Sequence, residues 1–315
     1  MKKYILSSLL TATVLIFFTG CEEEFVPEIS SDPPDIVVEG YIEAGEESIP
    51  PYVLLTRSLP YFSEISLNEL DSLYVHDALV TVKQGDKTAT LDEVCWNDFS
   101  PDEQELLKQV LGDLGIALEN VPLNFCVYID LEFTIEGEIG KTYDLKVEVE
   151  DKILTASTTI PEHVPLEYIV FQKPSGEVAD TLLELRTFIK DPEELASFFR
   201  YFTAVDGAPL MAPFSSVFDD RLFNGKEFEF PLAKAEPLNE DIDPAEFGYF
   251  AVGDTVTLKW STIDHEHFDF WNTLEFNRVN QGPFSSYTQV DFNIEGGIGI
   301  WGGYSSSYYT MVAEE

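Results

Sequence analysis

Few residues in this chain carry reactive groups, and their spacing narrows what chemistry they can do. Among three cysteines and four histidines, two histidines flank a glutamate in His265-Glu266-His267. Imidazole and carboxylate are zinc ligands. On a helix, however, residues two apart point about 200° from each other, whereas the zinc-protease motif sets its histidines four apart. No metal is expected there. The remaining histidines, His76 and His163, lie far along the chain from Cys95 and Cys126, and these cysteines form no Cys-x-x-Cys pair. Redox or nucleophilic catalysis is therefore not expected. In an exported protein an even pair of cysteines reads as a disulfide, here closing a loop of about thirty residues worth roughly 3 to 4 kcal/mol in the chain-entropy model. Two buried free thiols are the alternative.

Asp and Glu together number 58, so any two of them could be drawn as an acid and a base. A glycosidase needs its pair at a fixed separation across a sugar, which sequence does not reveal. Asp241-Ile242-Asp243 and Asp219-Asp220 could meet calcium, but the EF-hand pattern is absent and solvated loops explain them better. No Gly-x-Ser-x-Gly elbow and no phosphate loop occur. The glycines at 296–303 lack dinucleotide spacing and a following helix, so close backbone packing or strand bulges account for them. Trp271, Trp301 and Tyr304, with Tyr308 and Tyr309, are candidates for a platform that binds a sugar ring or peptide, although core packing is the commoner role of such residues. The reading is of a protein that is not an enzyme, with no cofactor.

The third cysteine carries the clearest signal. Lys2 and Lys3 precede an apolar run at 4–18, which ends in Phe18-Thr19-Gly20-Cys21. A charged start, a core too short to span a bilayer and a small residue before a cysteine form a lipoprotein export signal. Phe18 stands where an aliphatic residue is usual, and an ordinary signal peptide or anchor helix is the alternative. Cys21 is the expected lipidation site and mature N-terminus. Each buried methylene of its acyl chains contributes about 0.8 kcal/mol, and two chains make the anchoring stable. Cleavage removes two lysines and no acid, so a formal charge of −40 becomes −42. With 58 acidic residues against the 16 basic ones left, the chain has no footprint for nucleic acid. Its 44% hydrophobic and 13% aromatic content argues for a core beneath an acidic shell rather than for disorder.

These residues need elements to hold them. Glu22-Glu23-Glu24 and a proline-containing stretch form an extended tether at 21–35. The three glutamates either keep the tether soluble or serve as an address for the cell surface; acidic residues directly after the lipidated cysteine resemble the surface-export signal of lipoproteins in the Bacteroidota. From residue 36, short segments rich in Val, Ile, Tyr and Thr (36–42, 52–58, 78–84, 143–149 and 153–159) read as strands, with turns at Gly85-Asp86 and 137–140. They imply an immunoglobulin-like antiparallel β-sandwich over 36–162. A helical insertion at 101–115, opened by Ser100 and Pro101, lies between Cys95 and Cys126. Pro161 and Pro165 mark the boundary to a second, mostly β domain with short helices over 163–315. There, 182–189 and 255–261 read as strands. Asp191-Pro192-Glu193-Glu194 has the order of a helix start, for a short helix to about Phe199 that runs into another strand. Ser261 and Asp264 read as a capping box for a helix to about Arg278, with Ile263, His267, Phe270, Trp271 and Leu274 on its buried face. Residues 1–20 are the signal peptide. The fold class is mainly β.

Several short motifs follow one another in a set order: Cys21 with its acidic tether, Ile36-Val37-Val38-Glu39-Gly40, Asp77-Ala78-Leu79-Val80-Thr81-Val82, and Gly140-Lys141-Thr142-Tyr143-Asp144-Leu145. Then come Phe199-Arg200-Tyr201, Gly253-Asp254-Thr255-Val256, Phe270-Trp271-Asn272-Thr273, Gly282-Pro283-Phe284 and the run at 293–303. In this order the chain resembles a family of outer-membrane lipoproteins of the Bacteroidota catalogued as domain of unknown function 4249. The resemblance covers almost the whole mature chain. It implies a two-part, mostly β lipoprotein, of a kind often encoded near TonB-dependent receptors, with no catalytic residues to carry over. The insertion between Cys95 and Cys126 looks longer than the family's loop.

The expected function is that of an outer-membrane lipoprotein, held by its lipid and facing the cell exterior. It would act as an accessory or binding module for a TonB-dependent receptor or another outer-membrane assembly. The alternative is a stand-alone binder of polysaccharide or peptide, and a hydrolase ranks last.

Overall fold

A computed structural model describes residues 35–45, 48–59, 73–98, 126–176, 178–193, 196–236, 243–279 and 289–315. Cys21, the signal and tether up to residue 34, the expected helix at 101–115, Asp241 and Ile242, and Gly282-Pro283-Phe284 lie outside the described residues.

The protein is mainly β. Its first strands alternate as half-buried strands must. In β6 (Thr142–Val149), Tyr143, Leu145, Val147 and Val149 are buried, whereas Thr142 and Asp144 are exposed. Around it stand β1 (Ile36–Ala44), β2 (Tyr52–Arg57), β3 (Leu79–Gln84), β4 (Lys87–Cys95), β5 (Cys126–Ile129) and β7 (Lys152–Thr159). The chain continues through β8 (Leu166–Gln172), β9 (Leu182–Lys190), β10 (Phe198–Val205), β11 (Val217–Asp219), β12 (Glu227–Leu232), β13 (Phe250–Ala251) and β14 (Thr255–Ile263). Helix α1 (His265–Val279) and β15 (Ile298–Val312) complete it.

Eleven strands form one mixed sheet in the order β11-β10-β14-β15-β1-β2-β5-β4-β3-β6-β7. Every neighbouring pair is antiparallel except β1 with β15, whose parallel register sets Val37 opposite Ile298 and Ala44 opposite Ser305. Strands from both sides of the proline pair thus share one sheet. A smaller sheet is centred on β9, which pairs with β12 and β13 and also with β8.

Three cores result. In the first, Val38 and Val53 meet Val80, Leu91, Leu145 and Leu154, so the inner faces of β1 to β7 enclose one apolar volume. Trp301 of β15 reaches into it and donates Nε1 to Tyr143 O at 3.0 Å. The second lies under α1, where Phe268, Phe270 and Trp271 cover Tyr41, Leu54, Ile129 and Tyr304. The third joins the small sheet to β10 and β14 through Leu183, Leu185, Phe199 and Trp260.

Two local expectations are corrected. Residues 191–193 and 196–197 are not helical, and β10 begins at Phe198. Asp191 turns its carboxylate to Gly225 N at 3.0 Å, and eight residues of β10 pair with β14, so tertiary pairing overrides a local helix start. Ser261 lies inside β14 rather than at a helix cap. Asp264 is the cap, accepting from His267 N at 2.7 Å through its side chain. Helix α1 is the one α-helix among the described residues.

Candidate functional site

Beneath α1, where β10, β14, β15 and β1 run side by side, the sheet buries charge. Lys259 of β14 and Glu43 of β1 are 0% and 2% exposed and meet at 3.2 Å. The Lys259 ammonium lies 5.0 Å from the ring centre of Tyr304 and 5.5 Å from that of Tyr308. Arg200 of β10 sits 3.5 Å over Trp271 and 4.7 Å from Phe202. Its Nε donates to Ser216 Oγ at 3.3 Å, and Ser216 N donates to Glu275 Oε2 at 2.8 Å. Burial raises the Glu275 carboxyl above the usual carboxylate range, against the opposing pull of Arg200 and the Ser216 hydrogen bonds. Aromatic faces and carboxylates therefore share the task of holding two desolvated cations.

The cap of α1 closes this cluster on one side. The second Asp264 oxygen accepts from Thr158 Oγ1 and from Gly303 N, the latter at 3.1 Å. Burial lifts its carboxyl to about 6 against those hydrogen bonds. His267, 2% exposed, is held far below its ordinary pKa, first by burial and then by the Arg200 charge. It lies over Gly302, where a Cβ would come within 2.7 Å of Nδ1, so β15 has no side chain at that point. The cavity bounded by Tyr41, Arg200, His267 and Tyr304 measures about 10 Å³. That is about the room one water needs. No organic substrate fits, and the Nδ1 and Nε2 atoms of His267 are buried there without a hydrogen-bond partner among the described residues.

An open concave surface lies elsewhere among the described residues. Outward-facing Thr81 and Lys83 of β3, Asp144 and Lys146 of β6, and Thr155 and Ser157 of β7 line a groove of about 510 Å³. Asn293 and Glu295 wall it, the latter bridged to Thr155 through both backbones at 2.8 and 3.1 Å. Hydroxyls and charges of both signs on paired strands can hydrogen-bond a polar ligand without moving backbone.

Cys95 and Cys126 are disulfide-bonded across the β4–β5 pair, where the register sets them directly opposite each other. The sequence reading placed no histidine near them, yet His76 stands beside both in space. His265 and His267 are not brought together: His265 is 61% exposed and pairs with Asp269 at 3.2 Å, while His267 is buried. Of the three candidate platform residues, Trp301 lies in the first core, and Trp271 and Tyr304 turn their faces to Arg200 and Lys259. All three are buried. Asp219 binds the exposed Arg221 at 2.6 Å, and Asp220 accepts from Ser197 N at 2.8 Å.

Sequence reasoning missed Glu43, Lys259, Arg200 and Glu275, along with the groove. Lys259, set between Leu258 and Trp260 in the segment read as a strand at 255–261, was the one available signal, since an unpaired charge is not tolerated in a buried strand.

No curated protein matches the chain. A family profile described as Domain of unknown function (DUF4249) matches residues 22–310, from the residue after Cys21 to within β15. By that match, which takes in β1 to β14 and most of β15, the chain belongs to the DUF4249 family.

Proposed function

We propose that this protein is a lipid-anchored, non-catalytic binding module of the outer membrane, exposed at the cell surface. In this reading it serves a TonB-dependent receptor or another outer-membrane assembly. Cys21 carries the lipid, the acidic tether spaces the body from the bilayer, and β1 to β7 form an immunoglobulin-like sandwich carrying the insertion after Cys95. The observation that carries the reading is the groove on β3, β6 and β7. It is a concave surface at which polar side chains are open to a partner, while the buried Lys259 and Glu43 under α1 are spent on each other. The receptor as partner rests on the family resemblance, and the outer-membrane address on the motif at Cys21.

The test is affinity isolation of the full chain from detergent-solubilised membranes, beside a chain carrying Lys83→Glu and Lys146→Glu. Co-isolation of a β-barrel receptor with the parent, lost in the double variant, is the expected result. Recovery of no membrane protein by the parent chain would overturn the docking role.

The groove's hydroxyl-rich lining also favours a second reading, a polysaccharide or peptide binder acting alone. Binding of the purified chain to a glycan or peptide array, abolished by the same two substitutions and with no receptor recovered, would select it.

A further inference from the structure

The face of β4 and β5 that carries the disulfide also carries two more metal-ligating groups. Alternate residues of a strand share a face, so Glu93 stands beside Cys95, and the β4–β5 register brings Cys126 opposite. His76 arrives from the segment before β3. One ligand atom from each of His76, Glu93, Cys95 and Cys126 lies within 4.8 Å of the other three. In a tetrahedral zinc centre with ordinary bond lengths these atoms stand roughly 3.3 to 3.8 Å apart. Rotamer adjustments of about an ångström separate the two arrangements.

The surroundings hold this cluster in place. Tyr128 OH donates to Val75 O at 2.9 Å and accepts from Ala78 N at 3.1 Å, clamping the segment that carries His76 on both sides. Val75 N is tied to Leu55 O at 3.0 Å. Asp77 N donates to Glu93 Oε2 at 2.9 Å, which fixes the carboxylate and leaves Oε1 to meet His76 Nδ1 at 2.5 Å. A ligand oriented by a second hydrogen bond is how metal sites are built. With the disulfide formed, both sulfurs are committed to each other and the set is incomplete.

We infer that reduction of the Cys95–Cys126 bond turns this cluster into a zinc site, with His76, Glu93 and the two thiolates as its four ligands. A dithiol reductant supplies two electrons, becomes a disulfide itself and leaves two thiols on the protein. Zinc then displaces both thiol protons to solvent and takes an electron pair from each sulfur. Disulfide and metal are alternative cross-links at one place. Either joins β4 to β5 and closes the loop between them. Two thiolates, an imidazole and a carboxylate favour zinc over calcium or magnesium, which take oxygen ligands.

Cobalt(II) in place of zinc tests this on the full chain extracted in detergent, with a Cys21→Ser chain alongside so that only two thiols can contribute. After reduction, one cobalt per chain is expected, with a thiolate-to-cobalt charge-transfer band of two-sulfur intensity that zinc abolishes. The oxidised chain should give no such band. His76→Ala and Glu93→Gln should each weaken binding at least tenfold. A reduced chain that loses its near-ultraviolet circular dichroism and regains it on adding zinc would support the site equally. The inference fails if the reduced chain binds no cobalt, binds it without the sulfur band, binds it as tightly after the His76 and Glu93 substitutions, or unfolds without recovering in zinc.

Discussion

Lys259 Nζ and Glu43 Oε2 stand 3.2 Å apart, joined across 216 residues of sequence and sealed from solvent. A buried pair of this kind contributes little beyond an apolar replacement, but losing one partner strands the other charge. Lys259→Met is expected to destabilise the protein by about 3 to 5 kcal/mol. Adding Glu43→Gln to it should return much of that loss. Urea unfolding of both variants measures the difference, and a double variant as weak as the single one would show that the pair does not act as a unit.

Gly299 holds φ at +120°, and a Cβ there would lie 1.9 Å from Val38 O, inside the parallel β1–β15 pair. Gly299→Val combines backbone strain with overpacking and should lower stability by roughly 3 kcal/mol or more. A melting temperature within a degree of the parent's would contradict this geometry.

Asp264 gives a pH dependence with a definite sign. Its carboxyl titrates at about 6 in the folded protein against 3.8 for the ordinary group. The folded state therefore keeps the proton through a window in which the unfolded chain has released it. The stabilisation is complete below about pH 3.8, declines as pH rises and is gone above about pH 6, a change of about 3 kcal/mol. Asp264→Asn retains a capping oxygen and has no proton to lose. The stability of the parent relative to this variant should fall between pH 4 and pH 6, and a constant difference would refute the shifted carboxyl.

Cys95 and Cys126 close a loop of 31 residues. Replacing both by serine should cost roughly 3 to 4 kcal/mol through the freedom returned to the unfolded chain. Guanidinium unfolding of the oxidised parent and of the double variant provides the comparison.

Lipidation is the prediction on which the proposed location stands. Cys21→Ala should abolish incorporation of labelled fatty acid into the protein, because the thiol that receives the acyl chains is gone. Labelling of the variant equal to the parent's would remove Cys21 from the account.

The sequence made β3, β6, β7 and β9 legible by alternation, because one face of each meets a core and the other is more open, whereas β1, β2 and β14, buried along much of both faces, were legible by their content of Val, Ile, Tyr and Thr. It left the strand after Phe199, β10, without bounds and hid β15, for a physical reason. Phe199 to Ala204 are buried on both faces, as is most of β15 from Gly299 to Ser306, and a strand covered on both sides has no alternation to read. The glycines of β15 were read correctly as sites of close packing, but the strand around them was not seen. Helix α1 was found and its cap misplaced by three residues, since Ser261 and Asp264 both suit a cap and only β-pairing chooses between them. The cation cage was out of reach: Trp271 and Tyr304 look the same in sequence whether they face a ligand or the chain's own Arg200 and Lys259. His76 meets the cysteines only because β3, β4 and β5 are adjacent.

The parallel seam between the first and last strands has a consequence for how the molecule forms. Before Ile298–Val312 is available, β1 and β14 each lack a neighbour, Trp301 is missing from one core, Tyr304 from the next and Tyr309 and Met311 from the third. Partial chains are therefore open-edged and exposed to mispairing, and closure waits for contacts between opposite ends of the polypeptide, which are slow to form. Closure of the large sheet is therefore expected to follow synthesis of Ile298–Val312, whereas pairs of neighbouring strands such as β3 with β4 and β6 with β7 need no distant partner.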